Sequence, residues 1–321
     1  MSEQYDVITM GRVSVDLYPE QVGVPLEEVR TFAKSLGGSP TNVAVAAARL
    51  GARSAVVTKV GDDPFGNYVR QALEGFGVDN RWVSTDPDLR TPLAFCEIHP
   101  PDHFPLLFYR EPKAPDLNLA RPDLDLEAIR SARLMWTTGT GFSQEPSRSA
   151  TLLSLEARQG TLHGGITIHD IDHRPMFWRD QEEAGHWARE AIKLATVAVG
   201  NQDEVEVAVG TRDPYEASEA LLDMGVGLAI VKRGPDGVLA RTHAGVIELE
   251  PIRLEVLNGL GAGDAFGGAL AWALVEGWEA ERALRLANAA GALVASRLAC
   301  ADDMPTLEEL RELVGEEVES L

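Results

Sequence analysis

A glycine-rich turn near the carboxyl terminus carries the residues best suited to chemistry. Residues 258–272 read NGLGAGDAFGGALAW, and a helical run of small residues follows the glycines. Such a turn points several backbone N–H groups in one direction, and the helix dipole adds positive potential, so the turn can hold a phosphate. The small side chains of Gly261, Ala262 and Gly263 let a phosphate approach the backbone closely.

Asp264 is the residue of this turn that anion binding does not explain. A carboxylate repels phosphate, but it is useful if it accepts a proton from a hydroxyl that attacks phosphorus. The alternative is an acid that caps a core helix after a tight turn. The turn is not a Walker A loop, because the GK[ST] ending is missing. The first strand, which ends MGRVSVD, also lacks the GxGxxG spacing of dinucleotide folds.

A second glycine segment occurs near the amino terminus. Residues 37–51 read GGSPTNVAVAAARLG, so two glycines and a proline lead into a helix of small apolar residues. A helix of this composition is buried. Gly38 and Asn42 would then present polar groups into a cleft, where they suit sugar hydroxyls. The alternative is a packing helix with an ordinary cap.

These two segments need a scaffold, and the rest of the sequence predicts an α/β fold. Apolar, β-branched runs alternate with helical patterns, as in a doubly wound parallel sheet with helices on both faces. The strands are predicted at 7–11, 55–60, 134–139, 166–170, 196–200 and 228–232, the helices at 64–76, 146–158 and 214–224, and a hairpin at 238–241 and 246–250. Residues 12–35 and 92–113 break the alternation and predict short strands in an antiparallel lid, so that residues 1–321 form one domain with a small β lid.

Composition narrows the classes of partner. The formal net charge of −21 argues against nucleic acid and anionic membranes, which need a basic face. No apolar run approaches the roughly 20 residues of a membrane span, and the polar start lacks the pattern of a signal peptide, so a cytoplasmic protein is expected. Cys96 and Cys300 show no metal-binding spacing. Anionic ligands would have to be held by helix N-termini, a metal ion and a few basic side chains.

Together the two glycine segments resemble the two signatures of the PfkB (ribokinase-like) carbohydrate kinase family. The first signature covers 37–51 and continues in Val60-Gly61-Asp62-Asp63 and Gly66, and the second is the 261–264 turn. The order of the motifs matches, and the resemblance extends over nearly the whole chain. It implies a three-layer fold with a mostly parallel central sheet, a β lid over the sugar, and the use of ATP and Mg²⁺.

The resemblance also implies residue roles. Asp264 would be the general base, and the N–H groups of Gly261, Ala262 and Gly263 would stabilise the transferring phosphoryl group. Asp16 would contact the sugar. Asn201 and Glu204 match an NxxE motif, with Glu204 holding Mg²⁺ through water, and the nucleotide side would be formed by Asn201, Lys232, Gly234, Gly237 and Asn288. Asn258 and Gly259 depart from the family pattern just before the catalytic turn, which leaves a monovalent cation site open.

The arginines of the chain predict which kind of substrate receives the phosphoryl group. Guanidinium groups bind carboxylates through two parallel hydrogen bonds, so an acidic protein with placed arginines suits a sugar acid. The candidate substrate residues, beside Asp16, Gly38 and Asn42, are Arg12, Tyr109, Arg110, Asp172 and Arg174. For each arginine the alternative is a structural ion pair.

The resemblance is closest to members of the family that phosphorylate 5-dehydro-2-deoxygluconate, a keto-deoxy sugar acid of myo-inositol breakdown. The alternatives are 2-keto-3-deoxygluconate, fructose or ribose as acceptor. A non-catalytic sugar or nucleotide sensor belongs to a different class, and Asp264 and Glu204 argue against it, because a sensor has no use for a base at the phosphate. A homodimer through the lid is also expected, with Phe95, Phe104 and Phe108 either in that interface or packing the lid.

Overall fold

The computed structural model describes residues 4–160 and 165–315. In chain order the strands are β1 (Val7–Met10), β2 (Ser14–Pro19), β3 (Phe32–Gly37), β4 (Ser54–Gly61), β5 (Val83–Asp86), β6 (Leu93–Cys96), β7 (Leu106–Tyr109), β8 (Leu134–Thr138), β9 (Ile166–Asp170), β10 (Val197–Asn201), β11 (Leu228–Lys232), β12 (Val238–Thr242) and β13 (Gly245–Leu249). The α-helices are α1 (Ser39–Arg49), α2 (Pro64–Gly75), α3 (Leu126–Ser131), α4 (Ser147–Ala157), α5 (Gln181–Ile192), α6 (Gln202–Val209), α7 (Pro214–Asp223), α8 (Ala262–Val275), α9 (Ala280–Ala295) and α10 (Leu307–Val314).

The larger sheet has the strand order β13-β12-β11-β10-β9-β8-β1-β4-β5. Neighbouring strands from β11 to β5 are parallel, whereas β12 and β13 add an antiparallel hairpin at one edge. All six predicted parallel strands and the predicted hairpin are present. Their continuous apolar runs follow from burial on both faces. Val7 and Ile8, for example, are fully buried neighbours that belong to different apolar clusters.

Helices cover both faces of this sheet. On one face α1, α2, α8, α9 and α10 contribute to the main apolar cluster, and on the other α3 to α7 contribute to the smaller clusters. The predicted three-layer architecture is therefore confirmed. Helix α4 begins at Ser147, one residue later than predicted, with Pro146 at its N-cap. No helix in residues 4–160 and 165–315 is long and apolar enough to cross a membrane.

The smaller sheet, with the order β3-β2-β6-β7, is formed by the segments predicted as a lid. The expectation of an antiparallel layer holds for β2-β3 and β6-β7, but it is wrong for β2 and β6, which are parallel. The chain leaves the small sheet after β3, forms α1, β4, α2 and β5 in the main domain, and returns for β6. Such a long crossover connection permits parallel pairing, whereas a tight hairpin does not.

Helices α1 and α8 pack against each other unusually closely, which explains their small residues. A Cβ atom on Gly268 would lie 2.2 Å from the Cβ of Ala46, and one on Gly267 would lie 2.6 Å from the ring of Trp136. Both distances are shorter than van der Waals contact, so only glycine fits. This packing brings the amino-terminal turn of α1 beside that of α8.

Candidate active site

The candidate site lies at the edge of the large sheet where its parallel strands end. Asp170, Asn201 and Lys232 are the last residues of β9, β10 and β11. In open α/β sheets this edge is where ligands bind, because the loops and helix N-termini that follow the strands meet there.

The Gly261 turn begins α8 as predicted. Gly261 is the N-cap with a φ of 84°, and a Cβ atom there would lie 2.4 Å from the sulfur of Cys300. The left-handed backbone and this close contact both require glycine. The Ala265 N–H donates to the Gly261 carbonyl at 2.9 Å, so the helical hydrogen bonds start there. The preceding amides of the first turn have no partner within the helix, which is the arrangement that receives an anion.

Asp264 lies in this first turn and faces the amino terminus of α1. Its Oδ2 accepts a hydrogen bond of 2.8 Å from the Asn42 side-chain amide. Burial raises the pKa of Asp264 above its ordinary value, although Asn42 and the charge of Arg12 oppose the shift. A raised carboxyl pKa suits a general base that works near neutral pH. The Oδ1 atom of Asn42 is buried and has no hydrogen-bond partner among the described residues, so it is left to accept from a ligand hydroxyl.

Asp16 forms a second buried carboxylate in the same cavity. It accepts a hydrogen bond of 2.6 Å from the Ser14 hydroxyl, and a Cβ atom on Gly37 would lie within 2.2 Å of all three atoms of its carboxylate group. The first glycine of the GGSPTN segment is therefore required to make room for this carboxylate. Gly38, the N-cap of α1, has a φ of 99°, and a Cβ atom there would lie 2.5 Å from the Arg12 carbonyl oxygen.

Arg12 and Arg174 line the cavity and share one buried carboxylate behind them. The guanidinium of Arg12 donates to both oxygens of Asp172 at 3.2 Å, and Arg174 Nη2 lies 3.2 Å from Asp172 Oδ1. Burial alone would raise the pKa of Asp172, but the two arginine charges hold it below its ordinary value. Two guanidinium groups thus share one ion-pair partner, and Arg12 also interacts electrostatically with Asp16 and Asp264 of the same cavity. Asp172 is thus a residue that positions the arginines and does not itself line the cavity.

The predicted nucleotide side is built around Lys232 and the start of α6. Glu204 and Asn201 form a capping box: the Asn201 N–H donates to Glu204 Oε2 at 2.7 Å, and the Glu204 N–H donates to Asn201 Oδ1 at 2.9 Å. Helix capping therefore occupies one oxygen of Glu204. Gly237 has a φ of 84°, and a Cβ atom there would lie 2.1 Å from the Leu249 carbonyl oxygen, whereas Gly234 only needs its positive φ.

Two predicted substrate residues, Tyr109 and Arg110, do not line this cavity. Tyr109 is 59% exposed and makes an edge-to-face contact with Phe95 on the outer face of the small sheet. Because side chains alternate along a strand, it is Phe108 that lines the cavity. Arg110 is bound inside the protein, where it donates to Asp116 at 2.5 Å. Asn288 donates to the Glu250 carbonyl at 2.8 Å, and a Cβ atom on Gly237 would lie 3.0 Å from the carbonyl carbon of Glu250, so the assignment of Asn288 to the nucleotide side stays a prediction.

Several residues of the cavity were not among the predicted site residues, although Ser39 and Leu260 lie inside the two glycine segments. These are Ser14, Tyr18, Ser39, Phe108, Leu260 and Cys300. Tyr18 donates to the sulfur of Cys300 at 2.8 Å, although the two residues are distant in sequence. Asp170 was also missed as a site residue, and it is buried beside Lys232. Phe104 contacts the turn itself, because a Cβ atom on Gly259 would lie 2.9 Å from its ring.

A larger cavity, about 240 Å³, lies at the opposite edge of the sheet. It is lined by residues that precede β1, β4 and β5 and by α3, namely Tyr5, Arg53, Arg81, Trp82, Asp125, Glu127, Ala128 and Ser131. None of the predicted site residues is among them. The smaller cavity at Asp264 is the better candidate, because the predicted catalytic and sugar-binding groups converge on it.

The residues present fit ATP with Mg²⁺. Among the described residues, no three or more His, Cys, Asp or Glu side chains are placed to hold a metal ion. Mg²⁺ keeps several waters and is commonly held by phosphates with one or two carboxylates, so a dedicated protein cage is not needed. Glu204, buried in the first turn of α6, can supply one such carboxylate.

The raised pKa of Asp16 predicts how stability depends on pH. Burial raises this pKa to about 6 from an ordinary value of 3.8. Between these values the folded protein binds more protons than the unfolded chain, so its stability falls as pH rises. Asp16→Asn removes this dependence. We expect the free energy of unfolding of Asp16→Asn minus that of wild type to be about 2–3 kcal/mol larger at pH 7 than at pH 4, because only wild type loses stability over this range. Urea unfolding at the two pH values measures this, and a difference that does not change with pH would contradict it.

Comparison with known proteins agrees with this geometry. Residues 4–307 match the profile of the pfkB family carbohydrate kinases. The chain belongs to this family. It is similar to the 5-dehydro-2-deoxygluconokinase of Clostridium tetani (strain Massachusetts / E88), with 33% identity over 98% of this chain and 94% of that protein. The enzyme of the same name from Geobacillus thermodenitrificans (strain NG80-2) is also 33% identical, over 96% of this chain and 93% of its own length.

Solved structures of pfkB-type kinases share the fold. A fructokinase from Vibrio cholerae O395, with fructose, ADP and a calcium ion bound, is 27% identical with a TM-score of 0.84, over 98% of this chain and 100% of that chain. A putative ribokinase II from E. coli, in complex with ATP and Mg²⁺, is 24% identical with a TM-score of 0.87, over 97% of this chain and 99% of that chain. The predicted family and fold are therefore confirmed, and the protein is a carbohydrate kinase.

Proposed function

We propose that this pfkB kinase transfers the terminal phosphoryl group of ATP to a hydroxyl of 5-dehydro-2-deoxy-D-gluconate, in the breakdown of myo-inositol. The acceptor hydroxyl oxygen forms a bond to the γ-phosphorus, the bond between that phosphorus and the β–γ bridging oxygen breaks, and ADP leaves. Asp264 takes the hydroxyl proton. The amide groups of the Gly261 turn stabilise the negative charge on the transferring group.

The observation that carries the sugar-acid assignment is the pair of arginines at one end of the cavity. Arg12 and Arg174 share a single ion-pair partner, Asp172, and both line the same cavity as Asp264. A carboxylate bound there would place the rest of the sugar acid toward the base. Hydroxyls along the sugar would meet Asp16 and the free acceptor atom of Asn42. A neutral hexose would bring no second carboxylate to these two guanidinium groups, which share only Asp172. The names of the 33% identical relatives support the same substrate.

A coupled ADP-release assay tests this proposal. The panel contains 5-dehydro-2-deoxygluconate, 2-keto-3-deoxygluconate, fructose and ribose. We expect the highest kcat/KM with the first acid and weaker turnover of the neutral sugars. Turnover of neutral sugars alone would overturn the carboxylate argument. ADP release with none of these compounds would favour a sensor over an enzyme.

The loop before the catalytic turn suggests that no monovalent cation is needed. Asn258 is fully buried, donates from Nδ2 to the Leu298 carbonyl at 2.7 Å, and accepts from the Leu260 N–H at 3.0 Å. Its amide thus joins two loops that a bound cation could otherwise bridge. A related fructokinase from Vibrio cholerae O395 was solved with potassium. Both polar atoms of the buried Asn258 side chain already have hydrogen-bond partners in the protein. We therefore expect turnover in KCl and in tetramethylammonium chloride to agree within about two-fold. Strong activation by potassium at constant ionic strength would contradict this expectation.

The remaining proposals concern organisation. We propose that the chain works as one kinase domain with the small sheet as its lid, and that it is cytoplasmic. The homodimer through the lid also stays a prediction. The face available for it carries Phe32, Phe95, Leu107 and Tyr109. Phe95 makes edge-to-face contacts with both Phe32 and Tyr109, and Leu107 is 48% exposed. Phe104 and Phe108 instead pack toward the turn and the cavity.

A further inference from the structure

Lys232 places an ammonium group beside the catalytic turn. It is the last residue of β11, and a Cβ atom on Gly263 would lie 3.4 Å from its Nζ. Gly263 directly precedes Asp264, so this ammonium lies near the residue that is proposed to take the hydroxyl proton. Asp170 Oδ2 is 3.9 Å from the same nitrogen, which is too far for a hydrogen bond. Among the described residues, no acceptor forms a hydrogen bond with Lys232 Nζ, so its donors are available to a ligand.

The surroundings of Lys232 keep it charged. Its side chain is only 19% exposed, and such burial by itself lowers the pKa of an ammonium group. The nearby carboxylates of Asp170, Glu204 and Asp264 more than offset that effect, and the pKa of Lys232 is raised. A buried ammonium with available donors, next to amides that can hold a phosphate, is a ready site for phosphate oxygens.

We infer that Lys232 is a catalytic residue, whose ammonium contacts an oxygen of the transferring phosphoryl group, and that Asp170 is the positioning residue that holds it there. This rests on the proposed phosphoryl transfer but not on the identity of the acceptor. When the bond to ADP breaks, negative charge lies on the oxygens of the transferring group and on the leaving oxygen. A fixed cation beside them favours the transition state more than bound ATP, so its loss lowers kcat more than it raises the KM for ATP.

The first test replaces Lys232 with methionine and with arginine. We expect Lys232→Met to lower kcat by about 10²–10³-fold, the effect typical of losing one preorganised donor, with the KM for ATP changed by less than about three-fold. Lys232→Arg, which keeps the charge, should recover part of the loss. The matched control is Lys193→Met, which removes an exposed lysine paired with Glu190 on α5 and should leave kcat unchanged. Normal kcat in Lys232→Met, or a loss confined to the KM for ATP, would overturn the inference.

The second test asks whether Asp170 acts through Lys232. We expect Asp170→Asn to lower kcat by about ten-fold, and the double variant with Lys232→Met to be no slower than Lys232→Met alone, since residues that act through each other are not additive. Fully additive losses would show that Asp170 does not act through Lys232.

The acceptor for both tests is whichever compound of the panel wild type uses fastest. If that is a neutral sugar, the sugar-acid proposal fails while the Lys232 test stands. If no compound is phosphorylated, ADP binding with and without aluminium fluoride provides the comparison. We then expect Lys232→Met to weaken only the aluminium fluoride complex, and equal weakening of both complexes would overturn the inference.

Discussion

Replacing Asp264 with asparagine is expected to lower kcat by about 10²–10⁴-fold, the range for loss of a general base, while ATP binding changes little. The amide oxygen of the new side chain can still accept the hydrogen bond that Asp264 receives from Asn42 at 2.8 Å. The packing of α1 against α8 is therefore kept, and the substitution removes little besides the ability to take a proton. Steady-state kinetics with ATP and the best acceptor measure kcat, and isothermal titration measures nucleotide affinity.

The same substitution should make the folded protein more stable at neutral pH. Burial raises the pKa of Asp264, which means that ionising this carboxyl costs free energy in the folded state. An inactive and stabilised variant is the pattern expected for a catalytic base whose carboxylate is buried at a cost in stability. Asp223→Asn is the matched control, because Asp223 is exposed at the end of α7 and its loss should change neither property. Near-normal turnover in Asp264→Asn would mean that the hydroxyl proton goes elsewhere.

Replacing Gly38 with alanine is expected to destabilise the fold by about 2–5 kcal/mol, from backbone strain and overpacking together. The φ of Gly38 is 99°, and the new Cβ atom would lie 2.5 Å from the Arg12 carbonyl oxygen and 2.7 Å from the Cα atom of Val13. Both contacts are with backbone, which cannot rotate away. The segment between β1 and β2 would have to move away from the start of α1, and this would displace both Arg12 and Asn42. We therefore also expect a higher KM for the acceptor in any variant that folds.

Gly51 provides a control for this effect just past the other end of α1. Its φ is 102°, close to that of Gly38, but a Cβ atom there meets nothing within 4 Å. Gly51→Ala therefore carries only the strain of a positive φ, about 1–2 kcal/mol, and should leave the KM for the acceptor unchanged. Chemical unfolding of the two variants measures the difference. Equal destabilisation would show that the contact with the Arg12 carbonyl contributes nothing.

The sequence determined the interior parallel strands of the central sheet because they are buried on both faces, and such strands are continuous apolar runs that stand out from the helical patterns between them. It did not predict the parallel edge strand β5, which reads VSTD and has Thr85 exposed. It also determined the Gly261 turn. A left-handed N-cap and amides free to hold an anion depend on residues adjacent in the chain, so a local motif can encode them. The capping box of Asn201 and Glu204 is equally local. The family resemblance also assigns Glu204 to Mg²⁺ through water, and that role stays a prediction.

Tertiary structure decided which arginines face the cavity. Arg12 and Arg110 are equivalent in type, yet Arg110 pairs with Asp116 inside the protein, whereas Arg12 lines the cavity with Arg174. Tertiary structure also decided that Phe108, and not Tyr109, lines the cavity. Neighbouring residues of a strand point to opposite faces, so a shift of one residue reverses the orientation. The contact of Cys300 with Gly261 and the approach of Lys232 to Gly263 join segments far apart in the chain. A local motif can specify a backbone conformation, but ion pairs, strand facing and contacts between distant segments depend on how the whole chain packs.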